Sequence, residues 1–97
     1  IAYFSGLTAD DHSQGTTGQT AQILAKADSF LATVGSNRAS ILSATIWLRD
    51  IADFDAMNMA WVDWIDKDEP PARATVQAAL GLPDIRVEIQ FTVAIPA

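Results

Sequence analysis

Cysteine is absent from this chain and histidine occurs once, as His12. Disulfides, thiolate nucleophiles and cysteine-bound metals are therefore excluded, and one imidazole makes no histidine cluster for zinc. No metal site is expected. No apolar run reaches the roughly eighteen residues a membrane-spanning helix requires, so no membrane partner is expected. Bases are also scarce: six Lys and Arg stand against twelve Asp and Glu, a net charge of −6. Such a surface repels phosphate backbones, and Lys26, Arg38, Arg49, Lys67, Arg73 and Arg86 are too scattered to form a basic patch, so nucleic acid is not an expected partner. There is no cleavable signal pattern, and the chain starts at Ile1 without methionine, as a trimmed N-terminus would. The expected location is cytoplasmic.

What remains is a chain of 97 residues, 49% of them hydrophobic. This is enough for one domain with a core of its own, spanning residues 1–97. Trp47, Trp61 and Trp64 are many tryptophans for this size. They suit the core or a subunit interface equally.

Ala2-Tyr3-Phe4-Ser5 reads as a short strand stopped by Gly6. Residues 7–18 are polar and rich in Thr, Asp and Gly, which predicts a loop or weak hairpin, with Thr16 or Thr17 capping the helix that follows. From Gln19 to Val34, Ile23, Leu24, Ala27, Leu31 and Val34 recur at helical spacing, with Phe30 widening the stripe and Gly35 ending it. Ile41 to Leu48 is an apolar, partly β-branched strand. Asp50 or Asp53 opens a second helix with Phe54, Met57, Trp61, Trp64 and Ile65 inward. The segment 66–71, closing on Pro70-Pro71, ends it. Two further strands follow. Arg73, Thr75 and Gln77 alternate with Ala74, Val76 and Ala78; Ile85, Val87, Ile89, Phe91, Val93 and Ile95 alternate with Arg86, Glu88, Gln90 and Thr92. The order strand, helix, strand, helix, strand, strand predicts an α+β fold, a mixed sheet with both helices packed on one face.

Arg73, in Pro71-Ala72-Arg73, and Glu88, in Val87-Glu88-Ile89, each occupy the polar position of a strand. An arginine can grip a carboxylate with two parallel hydrogen bonds, and a glutamate can orient or deprotonate a water. Together they suggest a site that holds a small organic acid while water attacks it. If the last two strands form a hairpin, a loop over residues 80–84 places Val76 opposite Glu88; a one-residue slip places Thr75 there and unites the polar set. Failing that, the two residues belong to a solvated sheet face. Asn58 interrupts the apolar stripe of the second helix, to cap a backbone group or to touch a ligand. His12 and the acidic group Asp63, Asp66, Asp68 and Glu69 read as solvent-exposed, and Ser5 has no adjacent base to activate it.

Ser5-Gly6, the run 41–48, Asp53-Phe54-Asp55-Ala56-Met57-Asn58, Pro71-Ala72-Arg73 and Val87-Glu88-Ile89 resemble, in order, the Rid (YjgF/RidA) family. Thr75-Val76-Gln77-Ala78 and Ala56-Met57-Asn58-Met59-Ala60-Trp61 are most similar to its YoaB-like bacterial subgroup. The resemblance implies a chorismate-mutase-like fold assembled as a homotrimer, with sites in the clefts between subunits. It implies hydrolytic deamination of reactive 2-imino or 2-enamino acids to 2-keto acids and ammonia, without metal or organic cofactor. The alternative is a non-catalytic trimer of the same fold that binds or senses a small carboxylate such as a keto acid. By position, Arg73 matches the arginine that binds the substrate carboxylate, Glu88 the acid that positions water, and Ser5, Asn58 and Thr75 line the cleft. Three departures stand out. The family's N-terminal segment, with an aromatic over the site, has no counterpart here; Thr75 stands where RidA-type members commonly have cysteine; and loop 7–18 lacks the usual proline-containing hairpin pattern.

Overall fold

A computed structural model describes all 97 residues. Four strands and two helices follow one another as β1 (Ala2–Tyr3), α1 (Thr16–Thr33), β2 (Ile41–Leu48), α2 (Phe54–Trp64), β3 (Ala72–Gln77) and β4 (Val87–Val93), with single 3-10 turns at Arg38–Ser40 and Ile51–Asp53. The strands form one mixed sheet in the order β1-β4-β2-β3. β2 pairs parallel with β3 and antiparallel with β4, which in turn pairs antiparallel with β1. The parallel pair is joined by α2, as a crossover requires.

The last two strands are therefore not a hairpin. They flank β2, and the 78–86 segment crosses the end of that strand to connect them. The segment is largely exposed, with only Ile85 buried, and side chains from just past β2 and from α1 tie it to the body of the protein. Arg49, just past β2, donates to the carbonyls of Leu80, Leu82 and Ile85. Gln19, fully buried on α1, completes the closure. Its amide nitrogen donates to the carbonyls of Gln14 (3.0 Å) and Asp84 (2.9 Å), and its oxygen accepts from the Arg86 N–H (2.9 Å).

Both helices lie on one sheet face, where Ala44, Ile46, Leu48, Val87, Ile89, Phe91 and Val93 meet Ile23, Leu24, Ala27, Leu31, Met57, Trp61 and Trp64 in one buried cluster. Phe91 is its aromatic hub: Trp61 stacks on it at 6.1 Å, Trp64 tilts against it at 5.9 Å and Phe4 meets it edge-on at 6.4 Å. Two of the three tryptophans are thus core residues, while Trp47 points to the other face, half-buried.

Helix α1 ends as its glycine requires. Gly35 adopts φ +73°, and the Gly35 and Ser36 N–H groups bond back to the carbonyls of Ala32 and Leu31, the paired closure of a left-handed C-terminus. The N-terminus differs from expectation. Gly15 caps it without a side-chain bond, and Thr16 and Thr17 lie inside the first turn. Their hydroxyls reach across to Asp53 Oδ2 and the Ala56 carbonyl, tying α1 to the start of α2. At the start of β2 a bulge between Ile41 and Ser43 turns Leu42 out of the sheet.

Candidate functional site

Arg73, the second residue of β3, stands opposite Ala44, whose other neighbour is Phe91, so its side chain rises on the helix-covered face. There it meets a single stripe of α2. Asn58 Oδ1 accepts a 2.7 Å bond from Arg73 Nη1, and the guanidinium lies 5.4 Å from the ring centres of both Phe54 and Trp61. Residues 54, 58 and 61 follow the i, i+4, i+7 spacing of one helix face. The break that Asn58 makes in the apolar stripe is thus the seat of the arginine. No carboxylate pairs with Arg73: the ion pairs of the chain are His12–Asp84, Lys26–Asp10 and Arg38–Asp28. Burial without such a partner lowers the guanidinium's pKa from its ordinary value. It stays charged, since an arginine's ordinary value lies far above neutrality. The result is a desolvated cation, braced by aromatic faces, with most of its donors free.

Thr75 and Gln77 share that face with Arg73. The Thr75 hydroxyl oxygen is buried with no hydrogen-bond partner in the chain. An orphaned hydroxyl of this kind typically costs about 1–3 kcal/mol.

Glu88 lies elsewhere. It stands opposite Trp47, which pairs in turn with Val76, on the face without helices. Its row lies three residues along β2 from the Arg73 row, and β2 itself separates the two strands. One chain therefore does not bring Arg73 and Glu88 together. Residues facing one another across paired strands share a face, and successive residues alternate, so these two point in opposite directions. The Glu88 carboxylate instead rests against the Ser5-Gly6 turn: a Cβ built on Gly6 would fall 2.2 Å from Glu88 Oε2. Glycine permits this approach. Ser5 is exposed beside it and lines an apolar cavity of about 260 Å³ with Phe4, Leu7, Phe30, Thr33 and Val34.

The named residues thus separate into two groups. Arg73, Asn58 and Thr75 gather under α2, and Ser5 and Glu88 gather at the β1–β4 side. Phe54 and Trp61, core residues by their pattern, also brace the arginine, and their spacing from Asn58 is the signal for the shared stripe. His12 is half-buried and its Nδ1 lies 3.2 Å from Asp84 Oδ1. Asp66 bonds the N–H groups of Asp68 and Glu69, which makes that acidic segment a self-closed turn. No group of three or more His, Cys, Asp or Glu is placed to hold a metal ion, and no helix is long and apolar enough to cross a membrane.

The two-helix, four-stranded mixed sheet is shared with known proteins. The family profile described as Endoribonuclease L-PSP matches residues 1–95, and the chain belongs to this YjgF/RidA (Rid) family. It is 40% identical over 95 residues to a RutC family protein of Haemophilus ducreyi, spanning 98% of this chain and 81% of that protein. It is 49% identical over 77 residues to the RutC family protein YoaB of Escherichia coli, spanning 79% and 68%. A 3-aminoacrylate deaminase, RutC of Acinetobacter baylyi, is 32% identical over 95 residues, covering 92% of this chain and 75% of that one. Among solved structures, a YjgF-family protein of Neisseria meningitidis superimposes with a TM-score of 0.95 at 39% identity, over 98% of this chain and 79% of that one.

Proposed function

We propose that this chain hydrolyses reactive 2-imino or 2-enamino acids to 2-keto acids and ammonia, at sites completed between copies of the chain in a homotrimer. The observation that carries this reading is Arg73: a cation without an internal carboxylate, half-desolvated and held in place by Asn58, Phe54 and Trp61. Such a group is prepared for an external carboxylate, which its planar fork grips through two bonds. The name of the Acinetobacter relative, a deaminase of 3-aminoacrylate, supports deamination of a small enamine that carries a carboxylate, with its nitrogen on C3 where the present proposal has C2.

The separation of the two residue groups supports the composite site. With Arg73 and Glu88 on opposite faces of one sheet, a shared site needs Arg73, Asn58 and Thr75 from one copy and Glu88 and Ser5 from another. The face that carries Glu88 offers a second copy an apolar strip: Trp47, Ala72, Ala74 and Val76, with Tyr3 75% exposed at the far edge. Burial of that strip is the driving force for association.

The chemistry asks little of the protein. An imine conjugated to a carboxylate is already electrophilic at C2. Arg73 fixes the carboxylate and so orients C2. Glu88 holds a water against it and accepts one of its protons as the C–O bond forms. Glu88 returns that proton to the imine nitrogen. The resulting carbinolamine passes its hydroxyl proton to the amino group as the C–N bond breaks, releasing ammonia and leaving the keto acid. A 2-enamino acid enters the same route once a proton has moved from its nitrogen to C3 to give the imine. Orientation and charge stabilisation supply the rate. A nuclease role is opposed by the net charge of −6, which repels the substrate's phosphates.

The second reading, a carboxylate-binding trimer without turnover, needs Arg73 and not Glu88. It is favoured by the fact that Arg73 is fully seated within one chain. The test is ammonia release from freshly generated 2-iminopropanoate by wild type, Arg73→Ala and Glu88→Gln at equal concentration. The deaminase reading expects wild-type acceleration that both variants lose. No acceleration, with pyruvate binding that only Arg73→Ala abolishes, would establish the second reading instead.

A further inference from the structure

At the far end of β3 from Arg73, an open basin of about 540 Å³ is lined by Arg49, Asp50, Asp53, Gln77 and Arg86, with no apolar side chain. Its volume falls within the range of roughly 300–1,000 Å³ usual for small-molecule sites. Gln77 lies four residues beyond Arg73, about 13 Å along the strand at 3.3 Å per residue, so this is a different place from the Arg73 cleft. The basin holds two cations and two carboxylates, and none is paired with another: all three ion pairs of the chain lie elsewhere.

The fold fixes the Arg49 guanidinium, Gln77 Oε1 and one oxygen each of Asp50 and Asp53, and anchors the backbone of Arg86 while leaving its guanidinium free. The Arg49 guanidinium is held by the three carbonyls of the crossing segment, which leaves its charge uncompensated by any acid. The Arg86 backbone is bonded on both sides, its N–H to Gln19 Oε1 and its carbonyl from the Arg49 N–H, while its guanidinium makes no hydrogen bond. Asp50 Oδ1 caps the 3-10 turn at the Ala52 N–H and Asp53 Oδ2 accepts from the Thr16 hydroxyl, so each keeps one oxygen free. Gln77 Oε1 accepts from the Ile51 N–H, leaving its amide N–H₂ to donate. Free cationic donors, free carboxylate oxygens and one free amide thus line a single basin whose charge sums to zero. A simple anion entering it meets Asp50 and Asp53, and a simple cation meets Arg49 and Arg86. A ligand carrying both charges gains from both sides.

We propose that this basin binds a small polar α-amino acid as its zwitterion, with the carboxylate on Arg86, the ammonium on Asp50 and Asp53, and a polar side chain within reach of Gln77. The proposal stands independently of the deaminase reading. Its test is a titration followed by backbone amide NMR, using L-asparagine and its two half-ligands: succinamate, which lacks the ammonium, and 3-aminopropanamide, which lacks the carboxylate. The expected result is saturable shifts at Asp50, Ile51, Gln77 and Arg86 with L-asparagine, at least tenfold weaker binding of each half-ligand, and at least tenfold weaker asparagine binding in both Arg86→Gln and Asp50→Asn. Arg73→Ala leaves that binding unchanged. The proposal is overturned if asparagine produces no saturable shifts, if succinamate binds as well as asparagine, or if Arg73→Ala removes the binding while Arg86→Gln does not.

Discussion

Arg73 and Glu88 project from opposite faces of one sheet, Arg73 beneath α2 and Glu88 on the side that carries no helix. The strand β2 lies between them, and two strand spacings of about 4.8 Å keep them apart even before the offset along the strands is counted. No side-chain rotation brings them onto one substrate within a single chain. A two-residue mechanism therefore ties catalysis to assembly.

Gly6 sets the position of Glu88. A methyl group there would fall 2.2 Å from Oε2, and the carboxylate, the far end of a flexible side chain, must move to admit it. Gly6→Ala is expected to shift the melting temperature by only a few degrees while lowering kcat by about a hundredfold, the typical effect of misplacing a reacting group by about 1 Å. Thermal melts and steady-state kinetics on the same preparation check this. Unchanged turnover would mean that the position of Glu88 against the turn is not used.

Asn58→Asp places a carboxylate where the Arg73 seat now has a neutral amide oxygen. The internal pair relieves the arginine's desolvation and competes with any external acid for its donors. The expected outcome is a fold as stable as wild type, a KM raised tenfold or more and a smaller change in kcat. Asn58→Ala, which keeps the cation free, is expected to raise KM less. If the aspartate variant binds carboxylates as tightly as wild type, Arg73 is not the anion receptor.

Asp28 anchors the other end of the helix pair. It accepts from Arg38 Nε at 2.9 Å and Nη2 at 2.8 Å, and from Trp64 Nε1 at 3.1 Å, while the Arg38 guanidinium lies 4.8 Å over the Trp64 ring. The hydrogen bond from Arg38 holds the Asp28 carboxyl below its ordinary value of 3.8. A depressed carboxylate contributes stability above its unfolded pKa and loses it as pH falls through the folded one. Asp28→Asn is therefore expected to lose about 1 kcal/mol at neutral pH, a value discounted for the partial exposure of the pair, with the difference shrinking below about pH 4. Urea unfolding of both proteins at neutral and acid pH checks this. A difference independent of pH would assign the loss to packing against Trp64.

Much of this architecture was legible from periodicity. The apolar stripes of α1 and α2, the uniform run 41–48 and the alternation of β4 are local signals, and each became the expected element. Strand neighbours are not local. Nothing in the alternation of β3 states that β2 stands between it and β4, and the hairpin alternative failed for that reason. The same non-locality hid the faces. Arg73, Thr75 and Gln77 are polar yet turn toward the helices, because an edge strand reaches past the core to the rim of α2. The closing roles of Gln19 and Arg49 carry no sequence signal, because they bond backbone carbonyls of a segment more than thirty residues away, and carbonyls leave no trace in side-chain pattern. Asn58 was visible as an interruption, and the arginine it seats fifteen residues later was visible as a motif; only the fold joined the two.

The most direct test of a site shared between copies is complementation. Arg73→Ala and Glu88→Gln are each expected to be inactive alone. When the two are mixed in equal amounts, denatured and refolded together, random assembly gives about one quarter of the clefts an intact Arg73 from one copy and an intact Glu88 from another. The account predicts recovery of about that fraction of wild-type ammonia release. Failure to recover any activity, under conditions where denatured wild type regains all of it, would contradict the division of the site between copies.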